Sequence, residues 1–173
     1  MVPDRGTSVS QVVEPLPNTG ISMMLGLCEL LDDRGGREDV YRLARDLQMP
    51  FAELLLAIKG AEMLGLIETP GGDALLTALG KQTVASTMNE KKAILKEQIQ
   101  RLRIFQHMIR LLDRAPDKEL DAEVITEELA MMLPLEQPRA MFNTLINWGR
   151  YGEVIGYSRD TDTVYLPPPE AAE

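Results

Sequence analysis

The chain has one cysteine, one histidine and one tryptophan in 173 residues. A single cysteine excludes an intrachain disulfide. Cys28 falls inside the apolar run MMLGLCELL, where it reads as a small core residue in a reducing, cytoplasmic setting. A single histidine, His107, cannot form a His-Glu-x-x-His zinc site. Catalytic use of His107 would need a nucleophile and an orienting partner, and neither is signalled. Aromatic residues make up only 5%, while Met reaches 10, so an aliphatic, adaptable core is expected. No apolar run is long enough to span a bilayer, and the opening MVPDRGTSVSQ lacks the apolar centre of a signal peptide. No GxxxxGK[ST] occurs, so no P-loop can cradle phosphates. Positive charge is also scarce. Lys and Arg number 18 against 27 Asp and Glu, a net charge of -9 and a pI near 4.7. Affinity for nucleic acid comes largely from cations meeting phosphates, so this balance disfavours such a partner. No enzyme, cofactor or metal is expected from these residues.

What is present is helical periodicity punctuated by two hairpin signals. Residues 1–20 are rich in Pro, Ser, Thr and Gly and read as a flexible arm; 168–173 read as a tail. A first unit spans 21–89. Ser22 can cap a first helix that RGG ends. A second helix, Asp39–Gln48, carries Val40, Leu43, Ala44 and Leu47 on one face. A third opens at Pro50, and Gly65 suits the left-handed residue that closes it. Leu66–Glu68 then pairs with Ala74–Leu76 across a turn in which Gly71 and Gly72 supply positive φ, and Thr77 caps a further helix. Residues 90–115 read as one long connecting helix, Lys91–Arg114. It carries an apolar stripe of Leu95, Ile99, Leu102, Phe105, Ile109 and Leu112, with seven Lys and Arg between them. A second, smaller unit spans 116–167. Asp121 can cap AEVITEELAMML, Pro138 opens the next helix, and EVIGYSRDTDTVYL alternates around a turn at RDTD. The fold class is mainly α with small β-hairpins: two winged-helix-like units joined by a long central helix.

Winged helices commonly read DNA with the third helix and the hairpin. Here the third helix offers Glu53, Lys59 and Glu62, and the hairpin tip ETPGGDA has acids but no Arg or Lys. Base readout favours Arg, Lys, Asn and Gln. A winged-helix DNA-binding transcriptional regulator is therefore the alternative reading. It would need positive potential along the third helix and hairpin, or along the central helix. A small-ligand sensor would need an apolar pocket between the halves, for which Met23, Met24, Met131 and Met132 are candidates. Trp148 lies on an apolar face with Met141, Leu145 and Phe142 and is expected to anchor the second unit. Arg150 and Glu153 can pair with each other or with another element, and Tyr151 and Tyr157 fall where helix meets hairpin.

Three blocks carry a resemblance. GLCELLDDRGGREDVYRLARDLQM, LGLIETPGGDALLTALGKQ and INWGRYGEVIGYSRDTDTVYL, in that order, resemble the AAA-associated C-terminal domain, and the lead-in EPLPN is similar to the segment that precedes it. The likeness runs from about Pro15 to Leu166, and WGRYGE is its most specific piece; the family more often has Ala where Gly152 stands. That domain usually follows the ATPase module of nitrate/sulfonate/taurine-type ABC transporter ATP-binding proteins. Walker and signature motifs are absent here, so ATP binding and hydrolysis do not carry over. The resemblance implies a free-standing accessory or regulatory module that binds a protein. That protein would be an ABC-type ATPase subunit or a second copy, in the cytoplasm or at a membrane only through its partner. The expected interaction surface is Trp148, Arg150, Tyr151, Glu153 and Tyr157, together with the stripe Leu95–Leu112, which would form a homodimer.

Overall fold

A computed structural model describes residues 13–169. The expected arm over 1–12 and the last four residues of the expected tail lie outside the described residues. Residues 13–20 form neither helix nor strand but are tied down: Leu16 is buried and the Thr19 carbonyl accepts from the Trp148 indole N–H at 2.8 Å.

The first half runs α1 (Ile21–Asp33), β1 (Arg37–Asp39), α2 (Val40–Leu47), α3 (Phe51–Met63), β2 (Ile67–Glu68) and β3 (Asp73–Leu76). Its sheet is antiparallel in the order β1-β3-β2, with Arg37 opposite Leu75 and Ile67 opposite Leu76. Asp39 starts α2 by accepting from the Arg42 N–H at 3.0 Å. Gly71 and Gly72, at φ 60° and 87°, form the tight turn between β2 and β3. Thr77 caps α4 (Ala78–Ala85), accepting from the Gly80 N–H, and Thr87 with Glu90 forms a capping box on α5 (Met88–Gln100).

The second half repeats that order as α6 (Arg103–Arg114), β4 (Glu119–Asp121), α7 (Ala122–Met132), α8 (Pro138–Tyr151), β5 (Gly156–Ser158) and β6 (Thr163–Tyr165). Its sheet runs β4-β6-β5, again antiparallel. The molecule is thus mainly helical with small antiparallel β elements, as the sequence led us to expect, here as two three-stranded sheets. The edge strands β1 and β4 add to the two expected hairpins.

One expectation needs correction. The helix read over Lys91–Arg114 is two helices. Leu102 adopts an extended ψ of 132° and ends the run begun by α5. No Gly or Pro causes this. The break rotates α6 so that Ile104, Phe105, Met108 and Leu112 turn inward, whereas Leu102 and Ile109 are only half-buried. Phe105 thereby reaches Gly149 of α8. A Cβ at that position would collide with Ile155 and press on Phe105. The connection between the halves is accordingly α4 and α5, and α6 belongs to the second half.

α8 joins the halves. It packs on α5 and α7, and it also meets α1. The Asn147 side-chain oxygen accepts from the Ile21 N–H at 3.0 Å. This caps α1 from another element, where Ser22 was the expected cap; the N-cap position itself is Gly20. Trp148 is fully buried beside it.

Candidate functional site

The residues singled out in the sequence do not form one surface. Leu95, Ile99, Phe105 and Leu112 are each 0% exposed, so four of the six stripe residues face the chain's own core and only Leu102 and Ile109 keep part of their surface. Trp148 is core. Tyr151 is half-buried, and burial raises its phenol pKa. Glu153 is exposed and faces Lys92 at 3.9 Å rather than Arg150. Of the four methionines suggested for a ligand pocket, Met24 is buried in the core and Met131 lies 72% exposed. Cys28 is fully buried, which pushes its thiol pKa up to about 12 and makes it a poor nucleophile. His107 shares a 2.8 Å hydrogen bond with Glu128, joining α6 to α7. Among the described residues no three His, Cys, Asp or Glu side chains gather as a metal set, and no helix is long and apolar enough to cross a membrane.

Two grooves do stand out, one in each half and at equivalent places. The first, about 560 Å³, lies between α2, α3 and the β2–β3 turn. Val40 and Ile58 form its buried floor; Tyr41, Phe51 and Leu55 stand exposed around it. The rings of Tyr41 and Phe51 stack with centroids 4.6 Å apart and planes 3° from parallel. Glu62 closes one end and accepts from the Thr69 hydroxyl at 2.7 Å. Lys59 is the only cation in the lining. Helical spacing explains the arrangement: positions 51, 55, 58 and 62 of α3 share one face. Sequence spacing alone does not join Tyr41 to Phe51, because the two lie on different helices.

The second groove, about 780 Å³, lies between α7, α8 and the β5–β6 hairpin. Counting from Asp39 and Asp121, which precede α2 and α7, and from Pro50 and Pro138, which open the next helices, the lining corresponds pair by pair. Tyr41 matches Glu123, Phe51 matches Arg139, Leu55 matches Asn143, Ile58 matches Ile146, and Glu62 matches Arg150. One backbone shape therefore carries two opposite chemistries. Tyr157 sits edge-on to Phe142 at 5.9 Å and donates its hydroxyl to the Asp162 carboxylate. That hydrogen bond chiefly raises the phenol pKa, with Arg159 and Arg139 pulling the other way. Of the residues flagged from sequence, this groove gathers Arg150 and Tyr157; it adds Arg139, Asn143 and Arg159, which were not singled out.

Among curated proteins and among solved structures, nothing matches the chain. The model of the C-terminal AAA-associated domain matches residues 41–158, more than half of the chain, which belongs to that family.

Proposed function

We propose that this member of the C-terminal AAA-associated domain family is a non-catalytic regulatory module that works by docking on a protein, an ABC-type ATPase subunit, in the cytoplasm. Each half is read as a winged helix diverted from DNA. The observation that carries this reading is the face of α3 and its hairpin. A DNA-reading winged helix would set Arg, Lys, Asn or Gln there. This chain sets Tyr41, Phe51 and Leu55, closed by Glu62. Exposed aromatic residues over an apolar floor are the usual anchors of a protein interface. The family and the sequence resemblance to the domain that follows ABC-type ATPase modules support the choice of partner. A homodimer would have to use surfaces beyond the four buried residues of the Leu95–Leu112 stripe.

The test is a titration, followed calorimetrically, of the purified chain with an ABC-type ATP-binding subunit from the same cell. Binding that a Tyr41→Ser, Phe51→Ser variant loses by at least about tenfold, while its far-UV circular dichroism is unchanged, supports the proposal. Absence of a complex, or a dimer in light scattering that excludes the ATPase subunit, would count against it.

A further inference from the structure

We infer that the α7–α8 groove of the second half is a separate recognition site for a polypeptide segment that presents carboxylates to α8. It lies apart from the α2–α3 groove, and its test uses none of that groove's residues. Arg139, Asn143 and Arg150 recur along one face of α8, and Arg159 adds a guanidinium from the hairpin; all four side chains are exposed. Among the described residues no carboxylate lies within ion-pair distance of Arg139, Arg150 or Arg159. The three guanidiniums share the groove with three carboxylates, Glu123, Glu127 and Asp162, yet among the described residues none of the three forms an ion pair with them. The guanidinium fork matches carboxylate or phosphate by paired N–H donation, and Asn143 adds a neutral donor and acceptor.

The opposite wall decides between the two anions. Glu123 and Glu127 stand one helical turn apart on α7, facing into the same groove. A duplex carries phosphates at regular, close spacing and would bring them against both walls, so α7 would repel it. A polypeptide can turn carboxylates toward α8 and lysines or neutral groups toward α7. The two helices therefore face each other with opposite signs, Arg159 and Asp162 of the hairpin closing the groove between them, and the occupant that complements both helices is a protein segment acidic on one side and basic on the other.

The probe is a fluorescein-labelled peptide with glutamates on one helical face and lysines on the other, read by fluorescence anisotropy at physiological salt. Its net charge is near zero, so gross attraction contributes little. The wild type should bind it. An Arg139→Gln, Arg150→Gln variant should lose at least about tenfold in affinity, as should wild type against a peptide whose glutamates are glutamines. Arg110→Gln, on α6 and outside the groove, should change nothing. Melting temperatures should stay level, since all these residues are exposed; Arg159→Gln alone gives a second, smaller loss from the hairpin side. The inference fails if the peptide does not bind. It fails if the double variant binds equally well. It also fails if labelled duplex DNA binds more tightly than the peptide at the same salt and loses that binding in the double variant.

Discussion

Replacing Trp148 by phenylalanine tests the account of how the halves are joined. The indole is 0% exposed, and its N–H is the donor to the Thr19 carbonyl, ahead of α1. Phenylalanine keeps an aromatic ring but removes the donor, and a net hydrogen bond contributes about 0.5–1.5 kcal/mol. It also leaves the volume of two ring carbons besides the nitrogen, at roughly 2 kcal/mol if each deleted buried methylene-sized group costs about 1 kcal/mol. The expected loss is about 2–4 kcal/mol. At roughly 2–4 °C per kcal/mol for a chain of this size, the melting temperature should fall by about 5–15 °C. Thermal unfolding followed by far-UV circular dichroism reads it, since the variant has no tryptophan to report. The wild type supplies a fluorescence control: Trp148 should emit at short wavelength and shift red on unfolding. A fall smaller than about 2 °C would refute the reasoning, because it would mean that neither the bond nor the packing at this position holds the first half to the second.

Two further outcomes follow from named groups. Cys28, with its pKa pushed up to about 12 in the core, should resist a disulfide reagent in the folded chain and react fully in denaturant; rapid native labelling would contradict its burial. Asp46 is held below the usual carboxylate range, first by its hydrogen bond from Arg34, which also bridges to Glu38. A depressed folded pKa stabilises above the unfolded value, near about 3.9, and that stabilisation is lost as pH falls through the folded value. Asp46→Asn should therefore flatten the decline of stability with acid, measured as the urea midpoint at successive pH values, and leave an equally steep decline only if Arg34 does not engage it.

Local signals were legible in the sequence because they act within a few residues. Thr77 caps its helix, and Gly71 and Gly72 take the positive φ that the turn requires. The break between α5 and α6 was not legible, since QIQRLRIF contains no breaker and carries an unbroken apolar rhythm. With the break, Phe105 comes to lie close to Gly149, a residue remote in sequence. Strands β1 and β4 escaped for the same reason: RED and ELD have no strand pattern of their own and pair only because β3 and β6 lie beside them. At the site, Arg150 and Tyr157 were found through a family-like block. Arg139, Asn143 and Arg159 were not, because a groove is a property of three elements at once. The stripe Leu95–Leu112 showed the opposite limit: periodicity reveals an apolar face but not whether the chain itself covers it.

The correspondence of the halves extends to the turn after the third helix, and there it can be tested by exchange. The Leu66 N–H bonds the Ala61 carbonyl at 2.9 Å, and the Val154 N–H bonds the Gly149 carbonyl at 2.8 Å. Between them Gly65 takes φ 75° and Glu153 takes φ 56°. A side chain in that region costs about 1 kcal/mol. Glu153→Gly removes this cost. It also returns backbone freedom to the unfolded chain, worth about 0.4–1 kcal/mol, and breaks a half-exposed pair with Lys92 at 3.9 Å, worth roughly 0–0.5 kcal/mol. These effects nearly cancel, so urea denaturation should find a change within about 0.5 kcal/mol. Gly65→Glu meets only ordinary contacts, Gln98 at 3.6 Å and Leu79 at 3.7 Å. It should lose no more than about 1 kcal/mol, since backbone strain is partly offset by a stiffer unfolded chain. A loss beyond about 2 kcal/mol at either position would show that the two turns are not interchangeable, and that the correspondence of the halves stops short of them.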